Sequence, residues 1–495
     1  MHRRLSGAGD LPAGRSPRQV EGLRRPQLRA VRAGRALAFL GGLVLGGPAA
    51  ADPIDDYLRA EMARRQVPGL ALGVARHGRV ERISVYGLAN VELGTPVTER
   101  SVFAIASLDK QLTAAGVLAL AESGKLSLDD ELGRFVEVPW RGVTLRHLLS
   151  HTAGLPDEVA GGLEARWFTD YTTEQLLAHV RGLVPVAPPG ERYLYSDAGL
   201  FLAQLAIEKA AGQPWREFTR QRILAPSGMA GATFLDPATL VDGRVAAYAL
   251  DREGRLRRDR RTEVDYGPLY NDLGMTARDF ASWLLALDGD APLGPASRAA
   301  MWTPLHLADG SAWSEVWQWR RYGLGFGLDE VFGHRVALHS GSSGVGVLKF
   351  LDRGLSIVVL TNLAHSSGSD PLGLALGVAG LLWPEVAWLE RPPVPDPDPR
   401  TTAAHRSEYR NLLADRPALE SYAAASRLAA FEGAPALAGR APRWGELESF
   451  AFLGESRAGD ERLRRYRAEH ASARIFLTVA LDPSGRIVSL QWAHI

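Results

Sequence analysis

The sequence predicts an α+β fold, an α/β sandwich in which helices flank an antiparallel sheet and an all-helical lobe is inserted. Two observations support this prediction. Segments typical of strands stand at both ends of the stretch 52–390, and helical segments fill its middle. Because strands flank a block of helices, the two sets are expected to form one sheet. A chain of 495 residues is also long enough for two or three domains.

The first elements of the stretch 52–390 have clear local signals. A helix is predicted from Asp52 and is closed by Pro68 and Gly69. Two strands with a turn at His77 and Gly78 follow it. The segment "VFAIASLDKQLTAAGVLALAESGKL", which starts at residue 102, predicts one long helix that ends at Gly124.

The remaining elements of this stretch are predicted in the same way. Three further helices are marked by Thr144 as an N-cap, by Gly212 as a stop, and by a Thr276–Asp279 capping box. Strand signals return in "YGLGFGLDEV", "HRVALHSGSSGVGVLKFL" and "GLSIVVLTNLA". The apolar segment 371–389 is interrupted by glycine and proline, so it predicts a helix that covers a sheet face and not a membrane span.

The end of the chain predicts a second, smaller domain. The stretch "RPPVPDPDPR", residues 391–400, is typical of a stiff linker between domains. Residues 401–495 predict one or two helices and then alternating strands with a hairpin turn at Asp482–Gly485. We expect a small α+β accessory domain without a catalytic cluster of its own, which contacts a partner of unknown identity.

Charge separates the first 51 residues from the rest of the chain. They contain nine Arg, no Lys and two acidic residues, a balance of +7 within a total of +1. The remainder is therefore mildly acidic, which argues against a nucleic-acid partner. Hydrophobic residues at 46% and charged residues at 23% are typical of a soluble globular protein, and the lack of Cys excludes disulfides and a lipid-anchor cysteine.

The N-terminal segment resembles a secretory leader. Two arginines precede the apolar run 36–47, and three alanines that end at Ala51 follow it. This pattern is typical of a signal peptide, so we expect residues 1–51 to be cleaved and the protein to be secreted or periplasmic. A retained signal anchor is the alternative. The Arg-rich stretch before the leader suggests that translation starts near Val31.

The stretch "FAIASLDK" places Ser107 three residues before Lys110. On a helix this spacing puts both side chains on one face, where the amine can reach the hydroxyl. Burial lowers the pKa of a lysine and brings it towards the range of a base. The bland alternative is an N-cap serine beside a surface lysine, because S-x-x-K alone is a weak signal.

The surroundings of this motif strengthen it. In order, the chain contains "FAIASLDKQLTAAGVLAL", "VTLRHLLSHTAGLPD", "PPGERYLYSDAGLFLAQL", "ILAPSGMAGATF", "GMTARDFASWL" and "HSGSSGVG". Over residues 52–390 this order resembles the serine β-lactamase and penicillin-binding-protein-like superfamily, in particular its class C-like branch of esterases and D-amino-acid peptidases. The resemblance implies a β-lactamase/transpeptidase-like fold and a serine hydrolase domain over these residues.

The resemblance also implies roles for the residues at the matching positions. Ser107 would be the acylated nucleophile, Lys110 the base or proton relay, and Tyr195 the group that moves protons between Ser107 and the leaving group. The backbone N–H groups of Ser107 and Ser342 would form the oxyanion hole. The substrate-binding residues would be Asp197 and the third motif, His339, Ser340 and Gly341. Gly341 is expected because substrate and backbone come close there.

Two positions depart from the family pattern. Asp197 stands where relatives have Asn, and an ionised carboxylate cannot donate to a substrate carbonyl. Either Asp197 is protonated, or it pairs with Lys110, or the substrate supplies a donor. His339 stands where many relatives have Lys, and it would be a weaker, pH-dependent anchor for a substrate carboxylate. Both departures leave esters, amides and D-amino-acyl peptides as substrates.

We therefore predict an exported serine hydrolase that forms an acyl-enzyme on small-molecule or peptide substrates and needs no metal or cofactor. The alternative activities are those of a β-lactamase or a penicillin-binding D,D-carboxypeptidase. A third alternative is a catalytically weak fold used as a binding or regulatory module.

Some residues near the motifs are open to two readings. His147 and His151 have a metal-like spacing, but a structural role is expected for them. Trp302, Trp313, Trp317 and Trp319 pack the lobe or line an acyl pocket, in which Tyr322 would select the substrate.

Overall fold

A computed structural model describes residues 52–156, 172–236, 239–259, 273–310, 319–388 and 391–494. The predicted signal peptide lies outside the described residues. The strands in chain order are β1 (Gly69–Arg76), β2 (Arg79–Asn90), β3 (Thr95–Pro96), β4 (Phe103–Ala104), β5 (Thr233–Phe234), β6 (Tyr248–Leu250), β7 (Leu256–Arg258), β8 (Leu273–Met275), β9 (Arg321–Tyr322), β10 (Gly327–Val331), β11 (His334–Gly341), β12 (Val345–Phe350), β13 (Leu355–Thr361), β14 (Leu447–Ala458), β15 (Glu461–His470), β16 (Arg474–Leu481) and β17 (Ile487–His494).

The helices lie before, between and after these strands. In chain order they are α1 (Pro53–Arg65), α2 (Lys110–Glu122), α3 (Leu145–Leu149), α4 (Thr173–Arg181), α5 (Asp197–Ala211), α6 (Trp215–Thr219), α7 (Ala277–Ala286), α8 (Pro295–Met301), α9 (Pro371–Leu382), α10 (Pro399–Leu413), α11 (Arg427–Ala438) and α12 (Ala441–Trp444). None of the helices in the described ranges is both long and apolar enough to cross a membrane.

Eight strands form the main sheet in the order β3-β2-β1-β13-β12-β11-β10-β9. Every neighbouring pair is antiparallel. The first strands of the chain therefore pair with strands that follow the helical lobe, which confirms the predicted α+β fold. The edge strand β9 has only two residues and pairs with β10 at two positions.

The two faces of the main sheet pack against different helices. Along β1, Leu70 and Leu72 belong to an apolar core with α1 and α9, whereas Ala71 and Ala75 belong to the core that includes α7 and the lobe. This alternation follows from the period of two of a strand. Gly73 allows α7 to approach, because a Cβ there would lie 2.8 Å from a backbone carbonyl of that helix.

The segment 103–124 differs from the single long helix that the sequence predicted. It begins as β4, continues as a short 3-10 turn over Ala106–Asp109, and becomes α2 only at Lys110. Ala106 has φ +47°, a left-handed conformation that no α-helix contains. The S-x-x-K motif therefore spans the junction between the turn and the helix.

The C-terminal region is a small α+β unit, as predicted. Helices α10 and α11 pack with a four-stranded antiparallel sheet, β14-β15-β16-β17, around a core that includes Tyr409, Tyr422 and Leu477. The predicted hairpin turn joins β16 and β17, where the Asp482 carboxylate accepts from the backbone N–H of Ser484 at 2.8 Å. Residues 391–398 belong to no helix or strand. The domain boundary at 391–400 stays a prediction.

Candidate active site

Ser107 lies in the 3-10 turn that precedes α2, where it is partly exposed. The backbone of Gly341, at the end of β11, passes directly beside this turn. A Cβ at position 341 would lie 2.8 Å from the carbonyl oxygen of Ile105 and 3.1 Å from the Cβ of Ala106. Gly341 is thus required by the contact between β11 and the Ser107 turn, whereas the sequence reasoning attributed this glycine to a close approach of substrate.

Lys110 is fully buried at the first position of α2. Its ammonium Nζ lies 2.6 Å from Oδ1 of Asp197 and 5.0 Å from the centre of the Tyr195 ring. Burial lowers the pKa of Lys110, but the carboxylate of Asp197, followed by Tyr195 and Asp109, raises it well above its ordinary value. Of the three possibilities for Asp197, the structure shows the ion pair with Lys110.

Tyr195 lies just before α5, whose N-cap is Ser196. Burial raises the pKa of Tyr195 to about 12, while the ammonium of Lys110 and hydrogen bonds with Lys110 and Ser107 act to lower it. The phenol is therefore protonated at neutral pH, and it lies close enough to the Ser107 hydroxyl for this group to act on its pKa. The fold brings together Ser107, Lys110, Tyr195 and Asp197, which the sequence places up to 90 residues apart.

A second set of side chains, His151, Tyr322 and His339, forms a hydrogen-bonded chain beside Tyr195. The Tyr322 hydroxyl lies 3.3 Å from Nε2 of His151 and 3.3 Å from Nε2 of His339. The His151 ring also stacks on the Tyr195 ring, with 4.4 Å between their centres. All three residues of the chain are at least 98% buried.

Backbone groups determine which nitrogen of each histidine carries the proton. The N–H of Ser196 donates to Nδ1 of His151 at 3.1 Å, so the proton of a neutral His151 is on Nε2 and faces Tyr322. Nδ1 of His339 donates to the Ser340 carbonyl at 2.8 Å, so its Nε2 accepts from Tyr322. The hydrogen bonds thus run in one direction, from His151 through Tyr322 to His339.

Both histidines of this chain are neutral at physiological pH. Burial and the nearby Lys110 ammonium lower the pKa of His339 to about 3, and the same two causes hold the pKa of His151 well below its ordinary value. Burial also raises the pKa of Tyr322 well above its ordinary value. His339 therefore supplies no positive charge to the site.

The remaining predicted residues, Ser340 and Ser342, lie near the end of β11 and in the turn that follows it. The carbonyl of Ser342 accepts from the backbone N–H of His365 at 2.9 Å, and the Ser343 hydroxyl donates to the Ala104 carbonyl at 2.7 Å. These bonds fix the turn next to the segment that leads to Ser107. The oxyanion hole formed by the N–H groups of Ser107 and Ser342 stays a prediction.

The structure places the other candidate histidines and tryptophans in different surroundings. Nδ1 of His147 accepts from the N–H of Thr144 at 3.2 Å and completes a capping box, so it has a different environment from His151. Within the described ranges, no three His, Asp or Glu side chains are arranged to hold a metal. The Trp302 ring packs on Phe326 at 4.8 Å, and the Trp319 ring lies 4.8 Å from that of His339. Trp313 and Trp317 lie outside the described residues.

The sequence predicted a structural role for His151 and a role in substrate selection for Tyr322. Nothing local in the sequence indicates that they meet, because 171 positions separate them. One signal was present in "LLSHTAG", where a histidine precedes the residues of a turn. His151 has φ +57°, a conformation that is uncommon for non-glycine residues and that often marks functional sites.

Residues 54–382 match the family model described as β-lactamase. The chain belongs to the β-lactamase family. The match covers the whole main sheet and the helical lobe, and it includes every candidate catalytic and substrate-binding residue.

The relatives of this chain include a penicillin-binding protein and an esterase. Penicillin-binding protein 4* of Bacillus subtilis (strain 168) is 28% identical over 299 residues, which cover 56% of this chain and 64% of that protein. Esterase EstB of Burkholderia gladioli is 28% identical over 373 residues, which cover 65% of this chain and 93% of EstB. The chain thus spans less than two thirds of the first relative and nearly all of the second.

One solved structure also resembles the C-terminal part of the chain. The octameric penicillin-binding protein homologue from Pyrococcus abyssi is 22% identical, with a TM-score of 0.60. The likeness covers 89% of this chain and 95% of that chain. At this identity it shows a shared fold, which supports the β-lactamase-like architecture.

Proposed function

We propose that this β-lactamase-family chain is an exported hydrolase in which Ser107 attacks a carbonyl carbon and forms an acyl-enzyme. The observation that carries the proposal is the position of a partly exposed Ser107 one turn before Lys110, whose ammonium pairs with Asp197 at 2.6 Å and lies 5.0 Å from the ring of the buried phenol Tyr195. A nucleophile with an adjacent proton-transfer group and a fixed positive charge is what acyl transfer requires.

Tyr195 acts as a phenol in this mechanism. As Ser107 Oγ forms its bond to the carbonyl carbon, its proton passes to Oη of Tyr195, and the Tyr195 proton passes to the leaving oxygen or nitrogen. The Lys110 ammonium stabilises the negative charge that develops on the Ser107 and Tyr195 oxygens as these protons move. Water then attacks the acyl-enzyme, and the same group returns the proton to Ser107. Tyr195 is thus a neutral phenol in the resting enzyme and passes protons on during the reaction.

The charges in the site favour substrates without a carboxylate beside the scissile bond. His339 is neutral, and Asp197 is an anion that already balances Lys110. A substrate carboxylate placed there would therefore find little net positive charge. We propose esters, amides and D-amino-acyl peptides that are neutral or carry an amine, and the resemblance to esterase EstB supports the ester class.

A serine-reactive fluorophosphonate tests the proposal directly. We expect a mass shift on Ser107 in the wild-type protein and none in the Ser107→Ala variant. If the wild type is not labelled, the hydrolase proposal fails and the binding-module alternative is favoured. Cleavage of a short-chain p-nitrophenyl ester, of a D-amino-acid p-nitroanilide and of nitrocefin then separates the ester, amide and β-lactam activities; we expect the ester to react fastest.

Export is the second part of the proposal. It is supported by the leader-like pattern that ends at Ala51. Expression of the full chain with a C-terminal tag, fractionation and N-terminal sequencing test it. A mature protein that begins near Asp52 outside the cytoplasm is expected, and an uncleaved cytoplasmic chain contradicts it.

A further inference from the structure

The C-terminal sheet contacts the edge of the main sheet through one partly buried carboxylate. Glu461, the first residue of β15, has 11% of its side chain exposed and lies against Arg320 and Arg321. Oε2 of Glu461 is 2.8 Å from Nη1 of Arg320, and its Oε1 contacts Nη2 of Arg321. One side chain of the C-terminal region thus pairs with two consecutive arginines of the β-lactamase-like domain.

These arginines lie between two residues of the active site. Trp319, on one side, packs its ring against that of His339. Tyr322, on the other side, joins His151 to His339 through its hydroxyl. Any displacement of residues 320–321 therefore moves both neighbours relative to the stack of His151 on Tyr195.

The strand β9, which begins at Arg321, has a short ladder. It is an edge strand of two residues and pairs with β10 at two positions. Outside this ladder, the Tyr322 carbonyl accepts from the backbone N–H of Leu305 at 2.8 Å. Because so short a ladder holds a strand weakly, the contact of Glu461 with Arg321 adds a restraint at the start of β9.

The negative charge of Glu461 stabilises this segment in addition to its hydrogen bonds with Arg320 and Arg321. The two guanidinium groups are only 12% and 14% exposed, and the carboxylate between them balances their mutual repulsion. Asp329 lies 3.5 Å from Nε of Arg320 and balances part of that charge. Removal of the Glu461 charge would leave Arg321 uncompensated in a poorly solvated position, so this segment would shift towards water.

We propose that Glu461 is a positioning residue for the acylation of Ser107, and that the C-terminal sheet thereby keeps Trp319 and Tyr322 in place. The inference rests on the proposed hydrolase function. It assigns to the region beyond residue 400 a role inside its own chain, in addition to any contact with a partner.

A second ion pair across the same junction provides a matched control. Oε1 of Glu330, near the far end of β10, lies 2.7 Å from Nη2 of Arg465 and 2.8 Å from the Ser456 hydroxyl. The side chain of Glu330 is 10% exposed, which is close to the value for Glu461. Glu330→Gln therefore weakens the junction without removing a hydrogen bond of residues 319–322, and it changes Arg320 only through the more distant charge of Glu330.

The test compares Glu461→Gln with Glu330→Gln in the full chain. We expect Glu461→Gln to lower the rate of Ser107 labelling by a fluorophosphonate, and kcat for the ester, by about 10- to 100-fold, since small misplacements of active-site groups have effects of this size. Glu330→Gln should stay within about twofold of wild type. Both should lower Tm to a similar extent. Glu461→Asp, which keeps the charge, should restore part of the rate.

Hydrogen exchange gives a readout that does not depend on activity. Peptides that contain residues 319–327 should exchange faster in Glu461→Gln and remain near wild type in Glu330→Gln. If Glu461→Gln does not fold, Arg321→Gln removes the other side of the pair and carries the same expectations.

Two results would overturn the inference: a wild-type labelling rate in a folded Glu461→Gln protein, or an equal loss of rate in both variants. A wild-type protein that is not labelled at all contradicts the proposed function instead. The exchange measurement then still decides whether Glu461 holds the strand.

Discussion

The candidate site has two halves that differ in their electrostatics. In one half, the Lys110 ammonium and the Asp197 carboxylate lie 2.6 Å apart beside Ser107 and Tyr195. In the other half, His151, Tyr322 and His339 are neutral and are joined by hydrogen bonds of 3.3 Å. The two halves meet where the His151 ring stacks on Tyr195.

The difference indicates that the two halves have different roles. In the proposed mechanism, the charged half contains the groups that move protons and stabilise negative charge. The neutral half contains no group that ionises near pH 7, so it sets the position of Tyr195 and leaves its charge environment to Lys110 and Asp197. Variants on each side should therefore affect different quantities.

The largest effect is expected from Lys110→Met. Loss of the ammonium should lower the rate of Ser107 acylation by about 10²- to 10³-fold, the range for loss of one group that stabilises developing negative charge. It also leaves the Asp197 carboxylate, 12% exposed, without its partner, which should cost about 3–5 kcal/mol of unfolding free energy. Labelling kinetics and urea denaturation measure the two losses.

A double variant separates these two consequences of losing Lys110. Lys110→Met combined with Asp197→Asn should regain most of the stability, because no unpaired charge remains, and should stay inactive. A single variant with a wild-type acylation rate would show that Lys110 only balances Asp197.

The next effect is expected from Asp197→Asn. The carboxylate raises the pKa of Lys110, so its loss should lower that pKa. If Lys110 works as an ammonium, the loss of kcat/KM at high pH should then begin at a lower pH than in the wild type. Profiles of kcat/KM against pH measure this shift.

The opposite trend in this variant would identify Lys110 as a base. In that case kcat/KM would rise where the wild type is still inactive, because the neutral amine forms at lower pH. Asp197→Asn should also move activity from esters towards amides, since the Asn amide donates to a substrate carbonyl. Unchanged relative rates would contradict a role of Asp197 in specificity.

Tyr322→Phe should have a smaller effect that concerns the neutral half. It removes the hydroxyl between two buried imidazole nitrogens, which should cost about 1–3 kcal/mol of unfolding free energy and about tenfold or less in kcat. The pH profile should keep its wild-type shape because no charged group is altered. Tyr86→Phe, which removes a hydrogen bond to Asp55 away from the site, is the control and should leave kcat unchanged. A pH profile displaced by Tyr322→Phe would show that the halves are electrostatically coupled.

The smallest effect concerns stability against pH. His339 has a pKa of about 3 when folded and about 6.5 when unfolded, so the unfolded chain binds more protons between these values. The contribution of neutral His339 to the unfolding free energy is complete above pH 6.5 and is lost as the pH falls towards 3. His339→Gln should therefore reduce the slope of unfolding free energy with pH, by up to about 1.4 kcal/mol per unit. Urea denaturation at several pH values measures the slope.

Much of the fold could be predicted from local patterns. The Thr276–Asp279 capping box, the stop at Gly212 and the alternation along β1 depend on residues a few positions apart, and the structure contains each of them. The helix predicted over 103–124 was wrong in its first part. Its alanine-rich composition favours a helix, but pairing of β4 with β8 and the left-handed Ala106 break it.

The sequence by itself determined the family, the spacing of Ser107 and Lys110, and the replacement of Asn and Lys by Asp197 and His339. These properties are local or can be recognised position by position. They left open whether Asp197 would be protonated, paired or free to meet a substrate.

Only the tertiary structure decided that Asp197 pairs with Lys110, that His339 is neutral, and that Glu461 touches the strand of Tyr322 from 140 positions away. The physical reason is that a pKa or a tautomer depends on the atoms around a group after folding. Those atoms come from segments that no pattern of neighbouring residues relates to one another.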